Sequence, residues 1–222
     1  HERVWYADFL EFVGREQIFA NLMTPPAYAD DAEGVRWDSW RNCEFNEILG
    51  FYGLAYWYTW QVSMLGLGPI WNSDNEAVKT KAAQLLRAGH IFAFGLSEQE
   101  HGADIYSSEM MLYPQDDGSY LARGRKYYIG NANKAGLVST FGKIDGTGDY
   151  VFFVVDPRHE KYECVKNVCN SQNYVAEFAL YNYPITEAEI LSRGTEAWDA
   201  SLNTINFCKY NLGWASIGIC TH

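Results

Sequence analysis

Residues 2–22 place Val4, Trp5, Phe9, Leu10, Phe12, Val13, Ile18 and Phe19 at a spacing that predicts a helix. Residues 23–39 hold Pro25-Pro26 and several acids and read as a loop, with helical character returning near Trp40. Residues 48–71 carry no charged side chain. Their length alone meets the requirement for a membrane span. Thr59, Gln61, Ser63, the glycines, Pro69 and aromatics placed centrally rather than in interfacial belts fit a buried core helix better, one ending at Gly66-Leu67-Gly68-Pro69. Residues 74–89 then predict an amphipathic helix, with Asp74 as its cap, Arg87 in its last turn and Gly89 just past its end.

From His90 the period changes from 3.6 to 2. Seven short runs rich in β-branched and aromatic residues follow: HIFAFGLS, SEMMLYPQ, YLARGRKYYIG, LVSTFGKI, YVFFVVD, YECVKNV and YVAEFALYNY. Turn signals separate them at Asp116-Asp117-Gly118, Asp145-Gly146-Thr147-Gly148 and Asp156-Pro157. Short strands at this spacing predict a small antiparallel barrel or sandwich. From Thr195 the pattern is helical again, with Trp198, Leu202, Ile205, Leu212, Ile217 and Ile219 apolar. The fold class is α+β and multidomain: helices over 1–89, a β module over 90–193, and a helix over 194–222.

Composition narrows the function. The chain of 222 residues carries 28 acidic and 17 basic side chains, a net charge of −11, which excludes an ordinary nucleic-acid groove. With 48% apolar residues it can bury a sizeable core. Aromatics are plentiful (8 Trp, 16 Tyr and 12 Phe) and suit both core filling and flat apolar ligands. Cys43, Cys164, Cys169, Cys208 and Cys220 are odd in number and match no zinc spacing, so they read as reduced thiols of a cytoplasmic protein. The first residue is His1, no signal-peptide pattern follows it, and His222 comes straight after a helical pattern without a stop signal. Both ends read as cuts in a longer chain.

Nucleophile elbows, phosphate loops, paired zinc histidines and dinucleotide glycine fingerprints are all missing. His90 and His101 flank one strand without a third ligand nearby, so no metal is expected. Two segments stand out. In residues 92–108, FAFGLSEQEHGADIYSS, a strand runs out into a polar loop whose backbone and hydroxyl can hold a planar heterocycle by its edge. An ordinary acidic β-loop has the same composition. Residues 123–135, RGRKYYIGNANKA, follow a DDGSY hairpin.

Together these segments resemble the acyl-CoA dehydrogenases, a flavoprotein family with a helical N-terminal domain, a β middle domain and a C-terminal four-helix domain. The first motif stands here as Leu96-Ser97-Glu98-Gln99-Glu100-His101-Gly102-Ala103-Asp104, the second as Gly124-Arg125-Lys126-Tyr127-Tyr128-Ile129-Gly130-Asn131-Ala132. The Gly66-Leu67-Gly68-Pro69-Ile70 stretch and the order of elements agree with it. The resemblance implies that 194–222 is the first helix of a truncated C-terminal domain.

The resemblance implies FAD as cofactor. Phe94, Gly95, Leu96 and Ser97 would line the polar edge of the flavin, with Ser97 giving the hydroxyl. Ala103 stands where a hydroxyl near the cofactor and substrate is usual. Tyr128, with Ile129, matches the aromatic packed on the flavin, and Gly130 replaces the Ser or Thr that reaches the ring's N5 side. Asn206 and Lys209 fall where an Asp and an Arg contact coenzyme A. The implied reaction oxidises the Cα–Cβ bond of an acyl-CoA in fatty acid metabolism, by removal of the α proton and transfer of the β hydrogen to the flavin. The base is expected beyond His222, since Cys208 holds its alternative position. Implied partners are the acyl-CoA, an electron-transfer flavoprotein and further copies of the chain in a homo-oligomer. Rival readings are a non-catalytic subunit of a mixed oligomer, an acyl-CoA oxidase and a small-ligand β module. The aromatics Phe51, Tyr52, Tyr56, Trp57, Tyr58 and Trp60 read as core or as the wall of an acyl tunnel.

Overall fold

A computed structural model describes residues 6–30, 32–169 and 173–222. Val4 and Trp5 of the first predicted helix lie outside the described residues. The rest of that stretch forms two helices, α1 (Ala7–Arg15) and α2 (Ile18–Met23), separated where Gln17 takes a left-handed φ of 56°. Helix α3 spans Ser39–Tyr52 and is capped by Asp38, whose carboxylate accepts from the backbone of Trp40 and Arg41.

Helix α4 (Leu54–Trp71) corrects the expected stop at Gly66-Leu67-Gly68-Pro69, because it runs through those residues with Pro69 inside it. The two glycines are packing devices. A Cβ on Gly66 would meet the backbone of Ala93 at 2.6 Å, and one on Gly68 would meet the Thr204 hydroxyl at 2.5 Å. Helix and partners approach too closely there for any side chain. Helix α5 (Glu76–Arg87) is capped by Asn75, not Asp74: Asn75 accepts from the Val78 amide and donates to the Ala188 and Ile190 carbonyls.

The β region holds eight strands: β1 (Phe92–Gly95), β2 (Met111–Pro114), β3 (Tyr120–Gly130), β4 (Leu137–Ile144), β5 (Tyr150–Val155), β6 (Tyr162–Asn167), β7 (Val175–Ile185) and β8 (Ile190–Arg193). They form one sheet in the order β6-β7-β3-β2-β4-β5-β8, with β1 beside β4. The expected antiparallel pairing holds for most neighbours, but β1 and β2 both run parallel to β4. Strands β1, β4 and β5 read as continuous apolar runs because both faces are covered. Phe92, Phe94, Leu137, Phe141, Phe152 and Val154 face the helices, while Ala93, Val138, Val151, Phe153 and Val155 face the inside of the sheet.

Helix α6 (Gly194–Thr221) packs along α3 and α4. Gly218 lies so close to the Glu47 carbonyl that no Cβ fits. Gly218→Val is expected to cost about 3 kcal/mol, the upper end for overpacking, read as a lower denaturation midpoint. None of the described helices is long and apolar enough to cross a membrane.

Candidate functional site

The two motif loops meet. The Ser97 hydroxyl donates to the Tyr127 carbonyl at 2.9 Å, and the Tyr127 N–H donates to the Ser97 carbonyl at 3.0 Å. Strand β3 pairs with β7 without a break from Arg123 to Lys126 and resumes at Ile129 opposite Ala176, so Tyr127 and Tyr128 form a bulge. Such bulges re-aim side chains. Tyr128 takes a left-handed φ of 63° and the residue is 56% exposed. An aromatic held in a strained conformation and left in solvent gains nothing from folding, so this arrangement suits a flat ligand.

Under the loops lies an ion pair. Lys126 is fully buried, and its ammonium donates to Glu98 Oε1 at 2.7 Å, to the Leu96 carbonyl at 2.8 Å and to the Ser108 hydroxyl at 3.2 Å. Glu98 also accepts from the Ser108 hydroxyl and from the Glu109 and Met110 amides. Burial pushes Lys126 down to about 8 against the pull of Glu98. Burial would raise Glu98, but Lys126 and the other donors outweigh it and hold the carboxyl below its usual range. A carboxylate saturated by donors and held low is a poor general base. Glu98, His101 and Glu109 sit close enough to share a cation, yet Lys126 already neutralises the one buried acid among them.

A second tie comes from Asn131, fully buried and left-handed at φ 60°. Its amide nitrogen donates to the carbonyls of Thr59 and Phe92, each at 3.0 Å, and to the Ser63 hydroxyl at 3.3 Å. One side chain thereby joins the end of β3 to α4 and β1. Gly130 is buried beside it, and a Cβ there would meet the Tyr58 hydroxyl at 2.6 Å.

Of the residues singled out in the sequence, Phe94, Gly95, Ile129 and Gly130 are buried, while Leu96 and Ser97 are half-buried at the strand end. Ala103 is exposed in the loop before a 3-10 turn. Asn206 and Lys209 lie one turn apart on the exposed side of α6, with no hydrogen bond to either loop among the described residues. The aromatics of 51–60 do not form one wall. Phe51 and Tyr52 are exposed, Tyr56 packs on Phe9, Trp57 donates to Asn46, and Trp60 is core. Tyr58 alone reaches the loops. An apolar cleft of about 450 Å³ opens farther along α4, lined by Trp37, Met64, Trp71, Thr204 and Phe207 among others.

The sequence assigns no role to Lys126 or Asn131, and it reads Tyr58 as core or tunnel wall, not as a neighbour of Gly130. Lys126 had a signal: it shares the inward phase of β3 with Ala122, and a charge there demands a counter-charge.

The residues fit the flavin that the resemblance implies. Ser97 N–H has no acceptor among the described residues, Tyr128 is exposed, and the Tyr58 hydroxyl lies against Gly130.

No protein-family model matches the chain. The short-chain-specific acyl-CoA dehydrogenase of Megasphaera elsdenii is 33% identical over 78 residues, which are 35% of this chain and 20% of that protein. The structure of butyryl-CoA dehydrogenase from the same organism superposes with a TM-score of 0.84 at 18% identity, covering 97% of this chain and 58% of that one. An acyl-CoA dehydrogenase of Bacillus anthracis complexed with FAD gives 0.85 at 20% identity, over 96% of this chain and 38% of that one. A prolyl acyl carrier protein oxidase gives 0.83 at 20% identity, over 97% and 58%. The helical region, the sheet with its two tied loops and the final helix together constitute the acyl-CoA dehydrogenase fold.

Proposed function

We propose that the chain forms the flavin-holding part of an FAD-dependent oxidoreductase that desaturates the Cα–Cβ bond of an acyl thioester. The observation that carries this reading is the β3 bulge, which holds Tyr128 outward beside the Phe94–Ser97 strand end. The backbone of Phe94 to Ser97 would hold the polar edge of the flavin, and Tyr128, Ile129 and Gly130 would pack on its ring. When bound, the flavin supplies the electron-pair acceptor. The chain's own part is orientation and exclusion of water. Phe94 at the strand end stacks on Phe152, which packs on Phe141, all three buried in the core shared with the helices, and dry surroundings of this kind strengthen a polar contact made at the strand end.

The cleft along α4 is proposed for the acyl group. Met64 on its wall lies about 9 Å along the helix from Tyr58. Lys209 and Asn206 would meet the phosphates or amides of the carrier, and Lys209 does so as a point charge without a bidentate fork. Glu98 is not the base, for the reasons given above, and none is assigned. The chain spans 38–58% of the lengths of the solved relatives named here. Activity, an electron-transfer flavoprotein as acceptor and a homo-oligomer are therefore proposals for the whole protein.

The test is a titration of the chain with FAD, followed by flavin fluorescence and the visible spectrum. Binding is expected, and its absence overturns the reading. Tyr128→Ser should weaken FAD binding about tenfold, the worth of one aromatic stacking contact. It should leave unfolding within about 0.5 kcal/mol, as for an exposed side chain. The likeness to a carrier-protein oxidase favours one second reading, with oxygen as the acceptor. Peroxide release during turnover by the whole protein separates the two.

A further inference from the structure

The second motif lacks its hydroxyl, because Gly130 stands in place of Ser or Thr. The place that such a side chain would take is already filled, in part by another hydroxyl. Its nearest neighbours are the Tyr58 hydroxyl at 2.6 Å from the Cβ position and a Val62 methyl at 2.7 Å, both from α4. The Tyr58 hydroxyl makes no hydrogen bond among the described residues. Its neighbours include the Tyr128 phenol, Cys169 and the Tyr6 phenol.

We infer that Tyr58 replaces the hydroxyl missing from residue 130 and donates a hydrogen bond to the N5 side of the flavin. This rests on the flavin reading of the preceding section. Three features carry it. The first is place: the phenol oxygen comes from α4 but ends where a side chain on residue 130 of β3 would begin. The second is free capacity: the hydroxyl of this half-buried residue has no protein partner among the described residues and is not sealed from solvent, so a ligand acceptor can reach it. The third is rigidity. Asn131 is bonded to Thr59 and Ser63, the residues after Tyr58 and one turn on, so α4 cannot slide relative to Gly130 without breaking those bonds. Burial pushes the Tyr58 phenol well up, so it stays protonated and acts as a donor at neutral pH.

The fit also explains why residue 130 is glycine. A Ser or Thr there would collide with the phenol that now does its work, so the two positions exchange roles. An Ala at 130 would bring the collision without the hydroxyl.

The experiment compares the chain with its Tyr58→Phe variant, which keeps the ring and removes the oxygen. Each is titrated with FAD, and the ¹⁵N resonance of flavin N5 is recorded with labelled FAD. Tyr58→Phe should bind FAD three- to tenfold more weakly, the range for one neutral hydrogen bond. Its N5 resonance should move toward the value found in a solvent that donates no hydrogen bonds. Tyr56→Phe, on the same helix but packed on Phe9, should change neither quantity. An unchanged N5 resonance in Tyr58→Phe overturns the inference and leaves the flavin reading intact. An equal shift in Tyr56→Phe also overturns it, since general loosening of α4 would then be the cause. Failure of the unmodified chain to bind FAD overturns both.

Discussion

Lys126→Met is expected to lower the unfolding free energy by about 3–5 kcal/mol at neutral pH, the cost of leaving one partner of a buried ion pair alone. The Glu98 carboxylate would keep the Ser108 hydroxyl and two backbone amides but lose its cation. The pH dependence makes the cause visible. In the unmodified chain Glu98 is held below its usual range. Its contribution is therefore complete above the unfolded value near 4.3 and is lost as the pH falls through the folded one. Without Lys126, burial raises the same carboxyl above 4.3, and that variant loses stability as the pH rises through the raised value. Between about pH 3 and 6 the two chains should thus differ: the unmodified one is flat in this contribution above about 4.3 and loses stability toward the acid end, whereas the variant loses stability as the pH rises above about 4.3. Adding Glu98→Gln to Lys126→Met should recover 1–3 kcal/mol, because the stranded charge is gone. Urea melts across that pH range check all three statements. Parallel slopes would mean that the pair is not coupled as its 2.7 Å contact indicates.

The strands are legible as short runs rich in β-branched and aromatic residues between turn signals, alternating where one face is covered and continuous where both are. The runs YLARGRKYYIG and LVSTFGKI match β3 and β4 residue for residue. Strand β8 carries no such signal, because Ile190–Arg193 is too short to show a period and pairs with β5 alone among the described strands. Gly66 and Pro69 look like a stop locally, yet α4 runs through both. Only the neighbouring Ala93 backbone shows why a glycine is needed there. The site divides in the same way. Its backbone part lies in two continuous motifs and could be read directly. Lys126 with Glu98, Asn131 with Thr59 and Tyr58 beside Gly130 are pairings across 28 to 72 residues. Such pairings exist only once the chain has folded, and one sequence carries no signal of which side chains will meet.

Asn131 shows how much can hang on one such meeting. Asn131→Asp is nearly isosteric and keeps the residue's tolerance of left-handed φ, so it changes only the hydrogen-bonding chemistry. The amide nitrogen now faces two carbonyl oxygens and a hydroxyl. An ionised carboxylate there would set an acceptor against two acceptors in a fully buried place, so the new carboxyl is expected to stay protonated well above 3.9. The sign follows from that raised value: the variant's stability is present below 3.9 and is lost as the pH rises through the folded value. At pH 7 the deficit should reach about 3–5 kcal/mol. Asn131→Ala loses the same three bonds and adds left-handed strain, costing about 3 kcal/mol in all, but with no pH dependence of its own. Melts of both variants from pH 4 to 8 distinguish charge from lost contacts. Equal deficits across that range would remove the buried acceptor set as the cause. FAD titrations of the same samples at pH 5, where the Asp variant is folded, extend the argument to the site. If the Asn131 bonds hold α4 against the loops, flavin affinity should fall as the pH rises from 5 to 7, while the unmodified chain changes little.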